Sequence, residues 1–234
     1  MSRRAFVKAV AFVLALAAPA AARQDAAPAT PRGLFRPAAQ TTAAAPGEHA
    51  EPEAFEFEQG GFRYRVAANG AGRRTKAVGD DSGPPRLFNL RLEGSDRITR
   101  VYFAEYEGNV LLACEVSDAE TGAAFVVRLE QPSLRALWRA ELPAFNLGPP
   151  LRDGAHLYLT GIGFAAKLDL EAGRFLWRHS RLYGRAGEGT FNRFGPPELM
   201  KDAVVFREAG VTGRPRKALR VHRKTGKILG VEEQ

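Results

Sequence analysis

Leu168-Asp169-Leu170-Glu171-Ala172-Gly173-Arg174-Phe175-Leu176-Trp177 decides the fold. Apolar residues alternate up to Leu170, a turn closes at Gly173, and apolar residues resume through Phe175 to Trp177. That pattern predicts an antiparallel hairpin with one buried face, Gly173 supplying the positive φ of a tight turn. Leu219-Arg220-Val221-His222-Arg223-Lys224-Thr225-Gly226-Lys227-Ile228-Leu229 repeats the arrangement. A weaker, earlier copy runs from Phe125-Val126-Val127-Arg128-Leu129 to Leu134-Arg135-Ala136-Leu137-Trp138.

The repetition extends upstream of each hairpin. Phe145-Asn146-Leu147-Gly148-Pro149-Pro150-Leu151-Arg152-Asp153 matches Phe191-Asn192-Arg193-Phe194-Gly195-Pro196-Pro197-Glu198-Leu199-Met200-Lys201-Asp202. Each leads into an alternating strand, His156–Thr160 in one and Ala203–Arg207 in the other. Trp138 and Trp177 stand 39 positions apart, close to the ~40–45-residue period of four-stranded propeller blades.

Leu168-Asp169 through Gly173 to Trp177 resembles the pyrroloquinoline-quinone-like β-propeller repeat, and Val221-His222 through Thr225-Gly226 to Leu229 is a degenerate second example. The resemblance covers residues 98–230 and is strongest in 145–230. It departs from the family where Gly230 holds the place of the last Trp and where residues 55–95 carry strands without the motif. Full-length members have seven or eight blades, and this chain can supply about four. The resemblance therefore implies an all-β fold, a small or partial β-propeller of about four antiparallel blades over residues 53–234. A closed small ring, a partial ring completed by a second copy and an open repeat sheet all remain compatible with it. In a partial ring, exposed sheet edges would drive dimerisation.

The amino terminus has a different character. Ser2-Arg3-Arg4-Ala5-Phe6-Val7-Lys8 precedes an apolar run, Ala9–Ala18, then Pro19 and the small residues Ala20-Ala21-Ala22. This is the order of a cleavable export signal over residues 1–22, cut near Ala22, and its basic end is similar to the twin-arginine motif. The run is shorter than the roughly 20 apolar residues of a membrane span, and no Cys follows it to accept a lipid. A soluble periplasmic or secreted bacterial protein, with no transmembrane span in the mature chain, is expected. Residues 23–52 are rich in Ala, Pro, Thr and Gln. They read as a disordered tether, unable to bury enough apolar surface to offset chain entropy.

Removal of residues 1–22 leaves 31 of the 34 Lys and Arg against 26 Asp and Glu. That excess suits an anionic envelope component or an acidic protein without requiring nucleic acid. Cys114, the one cysteine, alternates with Leu112 and Val116 and should be buried on a strand. His49, His156, His179 and His222 are scattered, and no metal-binding, nucleophile-elbow or phosphate-loop pattern occurs. Asp80-Asp81 and Asp118-Ala119-Glu120 fall in turns. The family's quinone enzymes need every blade around a cofactor and a calcium ion, so no cofactor and no catalytic residue is expected here.

Two stretches suit a partner. One is the basic edge of the last repeat, Arg216, Arg220, Arg223 and Lys224; the other is the glycine-rich loop holding Tyr183, Arg185, Phe191 and Arg193. The expected function is an exported, non-enzymatic binding or scaffold module. The alternative is a cofactor-carrying, quinone-dependent oxidoreductase relative exported in folded form.

Overall fold

The computed structural model describes residues 33–42, 52–77, 84–117, 122–143, 146–180, 182, 193–209 and 215–233. The chain divides into units 1–30 and 31–234, and everything described belongs to the second. The export signal, residues 23–32 and 43–51 of the expected tether, both acidic turns and most of the glycine-rich loop lie outside the described residues.

Among the described residues there are strands and no α-helix, so no helix is long and apolar enough to cross a membrane. Two short strands come first, β1 (Arg36–Pro37) and β2 (Ala39–Thr42). Four four-stranded meanders follow. The first holds β3 (Pro52–Gln59), β4 (Phe62–Ala67), β5 (Ala71–Lys76) and β6 (Arg86–Asn89). The second holds β7 (Arg97–Tyr106), β8 (Asn109–Ser117), β9 (Gly122–Leu129) and β10 (Ala136–Leu142). The third holds β11 (Leu151–Asp153), β12 (His156–Gly161), β13 (Phe164–Asp169) and β14 (Arg174–Ser180). The fourth holds β15 (Glu198–Leu199), β16 (Ala203–Arg207), β17 (Lys217–His222) and β18 (Ile228–Glu233). Within each meander every strand pairs with its neighbour in sequence, antiparallel throughout. The architecture is that of a small or partial β-propeller with four blades.

Three apolar clusters join the blades in chain order. Phe55, Phe57, Tyr64 and Val66 of the first blade meet Val101, Leu112, Cys114 and Phe125 of the second. Leu111, Ala113 and Val126 point the opposite way and meet Leu157, Leu159, Phe164 and Leu168 of the third. Tyr158, Ala165 and Trp177 then meet Val204, Phe206, Leu219 and Val221 of the fourth. Because the second blade is buried on both faces, its strands read as continuous apolar runs such as Val110–Cys114. Cys114 is fully buried, and that burial pushes its thiol pKa upward, away from reactivity.

The terminal blades are polar on their outer faces. Glu56–Arg65 (3.1 Å) and Glu58–Arg63 (2.9 Å) pair across β3 and β4. Arg207–Glu198 (2.7 Å) and Arg220–Glu232 (2.9 Å) pair across the fourth blade. Among the described residues no buried cluster joins the first blade to the last. Charged end faces are the way repeat arrays solvate terminal units.

Residues 33–42 correct the expectation of a disordered tether through residue 52. Leu34 bridges Leu151 of β11, β1 pairs with β7, and β2 pairs with β3. One extended segment thus pairs with the first strand of three successive blades. Phe35 N–H donates to Pro150 O (2.9 Å), and Ala38 N–H donates to Val101 O (2.9 Å). Arg152 N–H donates to Gly33 O (2.7 Å). Gly33 has φ 91°, and a Cβ there would overlap the Arg152 carbonyl. The composition misled because edge pairing needs backbone groups rather than apolar side chains. One side chain, Phe35, anchors the strap in the core shared by the second and third blades.

Candidate functional site

A recurring device joins the later blades. Trp138 lies directly across from Arg128 in the β9–β10 pair, and Trp177 directly across from Lys167 in the β13–β14 pair. The Trp138 indole N–H donates to Leu170 O (2.9 Å), and Arg128 Nη1 donates to the same oxygen (3.1 Å). One blade later, Trp177 Nε1–H (3.2 Å) and Lys167 Nζ (3.3 Å) both donate to Arg223 O. Each accepting carbonyl opens the hairpin turn of the following blade. Each turn closes four residues after its first, Gly173 N–H donating to Asp169 O and Gly226 N–H to His222 O, both at 2.9 Å. The tryptophan packs on that glycine. A Cβ at Gly173 would come within 2.5 Å of Trp138, and one at Gly226 within 2.5 Å of Trp177. Tryptophan, cation and next-blade glycine form one clamp.

Charge completes the clamp between the second and third blades. Arg128, 7% exposed, pairs with Glu171 (3.0 Å) and Glu107 (3.2 Å). Tyr106 donates its hydroxyl to Glu171 (2.5 Å). Burial, then the hydrogen bond to Glu171, pushes the Tyr106 pKa up to about 12. The Tyr106 hydroxyl, then Arg128, hold the Glu171 carboxyl below its ordinary value. A carboxyl with a depressed folded pKa adds stability above its unfolded pKa of about 4.3, and that stability is lost as pH falls through the folded value. Glu171→Gln should therefore flatten the acid limb of stability below about pH 5, read as urea midpoints from pH 7 to 3. An unchanged acid limb would remove Glu171 from the clamp.

The clamp is missing between the first two blades. Arg74, buried and directly across from Arg86 in the β5–β6 pair, takes the place of Arg128 and Lys167. Exposed Arg86 thus stands where the second and third blades have Trp. Leu134, at φ 62° and donating its N–H to Glu130 O (2.7 Å), stands where the later turns have Gly. A pocket of about 450 Å³ opens beside Leu134, lined on the first-blade side from Phe88 to Arg91. Val127, Leu129, Leu134 and Phe88 supply apolar walls, and Arg91, Arg135 and Arg139 line it as well. Arg139 stacks on Phe125 (3.8 Å to the ring centre), pairs with Glu141 (2.5 Å) and donates to Arg91 O (2.9 Å). A second hollow of about 460 Å³, beside Leu87, is lined by the first blade alone on its solvent face, so it encloses less.

Of the sequence-predicted partner residues, Arg216 and Lys224 are exposed. Arg220 is paired with Glu232 across strands. Arg223 is engaged at the last junction: it pairs with Asp153, donates to Met200 O (3.1 Å), and its carbonyl receives Trp177. Exposed Arg193 accepts Ala209 N–H (2.8 Å) through its carbonyl, while Tyr183, Arg185 and Phe191 lie outside the described residues. Of the five described residues, Arg220 and Arg223 are taken up by pairing within the fourth blade and at the last junction, and Arg193, Arg216 and Lys224 are exposed. Among the described residues no cluster of three His, Cys, Asp or Glu could hold a metal. Sequence reasoning missed the first-junction pocket because Leu134 and Arg86 look ordinary until the three junctions are compared. One signal was present: Leu134 stands four residues before Trp138, the spacing that Gly173 keeps to Trp177.

No family model matches the chain, and no curated protein matches it. Among solved structures it is similar to the quinohemoprotein alcohol dehydrogenase ADHIIG from Pseudomonas putida HK5, at 14% identity and a TM-score of 0.36 over 52% of this chain and 19% of that one. It is also similar to the Dos1 propeller (12%, TM-score 0.41, 74% and 44%). The WD40 domain of SCAP from fission yeast is a further likeness (11%, TM-score 0.41, 81% and 51%). The chain spans about half or less of the length of these three structures.

Proposed function

We propose that this chain is an exported, non-enzymatic repeat protein acting as a binding or scaffold module in the periplasm. Its repeats are a degenerate form of the quinoprotein-like propeller repeat. The observation that carries the reading is the open first junction, a pocket at the one blade contact where the clamp is not filled. The arginine–carboxylate pairs elsewhere support it, because Arg128 with Glu171 and Arg223 with Asp153 hold blades together and leave binding to surfaces between them.

Fractionation of cells making the full chain tests export. The expected result is a periplasmic product shortened near Ala22, lost when Arg3 and Arg4 are both replaced by Lys. A full-length cytoplasmic product would overturn it. Retention of a defined envelope component by the wild type but not by a pocket-filled variant supports the binding role. A visible absorption band from a bound chromophore, with substrate turnover, would replace that role with the oxidoreductase reading.

A further inference from the structure

The first-junction pocket has a particular chemistry, and the ligand inferred from it rests on the chain being a binding module. Where the later junctions seat an indole, this one has apolar walls from Val127, Leu129 and Leu134 and an aromatic edge from Phe88. The other two junctions show that a site built this way holds a flat ring between an outer strand and the next blade's turn. Its volume of about 450 Å³ falls in the range of small-molecule pockets, about 300–1,000 Å³.

The rim is cationic. Arg139 is occupied by Glu141 and backbone carbonyls, and exposed Arg135 shares Glu130 at 3.5 Å. Arg91 differs: its guanidinium has no hydrogen-bond or ion-pair partner among the described residues, while its backbone is held at φ 51° with its N–H on Asn89 Oδ1 (2.6 Å). Three arginines face two carboxylates, Glu130 and Glu141, both already paired. An apolar cleft with an unanswered cation at its mouth is complementary to a ring bearing one negative charge. We propose that the pocket binds a small aromatic anion, a carboxylate or its equivalent, with the ring on Leu134 and the charge toward Arg91.

Two fluorescent probes test this on the purified full chain. Anilinonaphthalene sulfonate carries the anion, and N-phenyl-1-naphthylamine has the same rings without it. The wild type should bind the sulfonate saturably at one site, and more tightly than the amine. Ala136→Trp places a large side chain from the exposed start of β10 into the cleft and should weaken both probes at least about tenfold, because the indole takes the space the ring would occupy. Arg91→Gln should weaken the sulfonate about two- to five-fold, the range of an exposed ion pair, and leave the amine unchanged. Added salt should have the same selective effect. Circular dichroism and melting must match wild type for each variant, since a loosened core also binds such dyes. Unchanged sulfonate binding in Ala136→Trp would overturn the site. Equal binding of both probes, indifferent to Arg91→Gln, would overturn the anion. Neither outcome depends on export, so the pocket and the periplasmic role fail separately.

Discussion

Trp177→Ala is expected to lower the unfolding free energy by about 3–5 kcal/mol, the cost of emptying a large buried aromatic site. Trp177 is buried, contacts Tyr158 at 6.2 Å between ring centres and covers Gly226 of the last blade. Its N–H and Lys167 share Arg223 O, so the substitution also takes one of two donors from that oxygen. Trp177→Phe separates the effects: it keeps most of the ring and should cost less, with about 1 kcal/mol assigned to the lost hydrogen bond. Repeat arrays are held by nearest-neighbour interfaces. The fourth blade should therefore melt ahead of the rest in Trp177→Ala, seen as a second, earlier transition by denaturant titration. A single transition within about 1 kcal/mol of wild type would mean that the blades are not joined through this tryptophan.

Phe35→Ala should destabilise by a similar amount, about 3–5 kcal/mol. In a disordered tether the same change would do nothing, so the experiment distinguishes a strap from a tether over residues 33–42. Phe35 is 1% exposed and packs where the second and third blades meet. Its loss should also free the strap from the edges of β7 and β3, exposing backbone groups that invite strand addition. Increased self-association by light scattering is the accompanying sign. Amide exchange at Phe35 and Ala38, both donating to blade carbonyls, should accelerate in the variant and be slow in the wild type.

Much of the fold was legible in the sequence because its turns and strand faces leave local marks. Gly173 and Gly226 carry turns that need positive φ, and they are observed at 63° and 74°. Alternation around them showed which residues face the core: Leu219 and Val221 are buried while Arg220 pairs with Glu232 on the other face. Cys114 is buried on β8, as its neighbours Leu112 and Val116 implied. The strap was not legible, because Arg36 and Leu34 pair through backbone groups with Phe103 and Leu151, far along the chain. Nor was the role of Arg128 and Lys167. A cation in an alternating strand reads as solvated, yet here each lies across from a tryptophan and reaches the next blade. Arg223 belonged to the expected basic surface for the same reason, although its side chain crosses to Asp153. The first junction was hidden by the separation of β5 from β6, which prevents Arg86 from being aligned with Trp138 by spacing.

The later blades are joined by a tryptophan seated on a glycine turn, and the first junction is that same clamp left open. A double-mutant cycle with Arg86→Trp and Leu134→Gly tests this most directly, with stability from urea unfolding as the readout. Each single change should destabilise, Arg86→Trp by meeting the Leu134 side chain and Leu134→Gly by emptying buried volume. Together they should recover at least about 1 kcal/mol beyond additivity and abolish probe binding in the pocket. Strictly additive effects, with probe binding intact in the double variant, would contradict the claim.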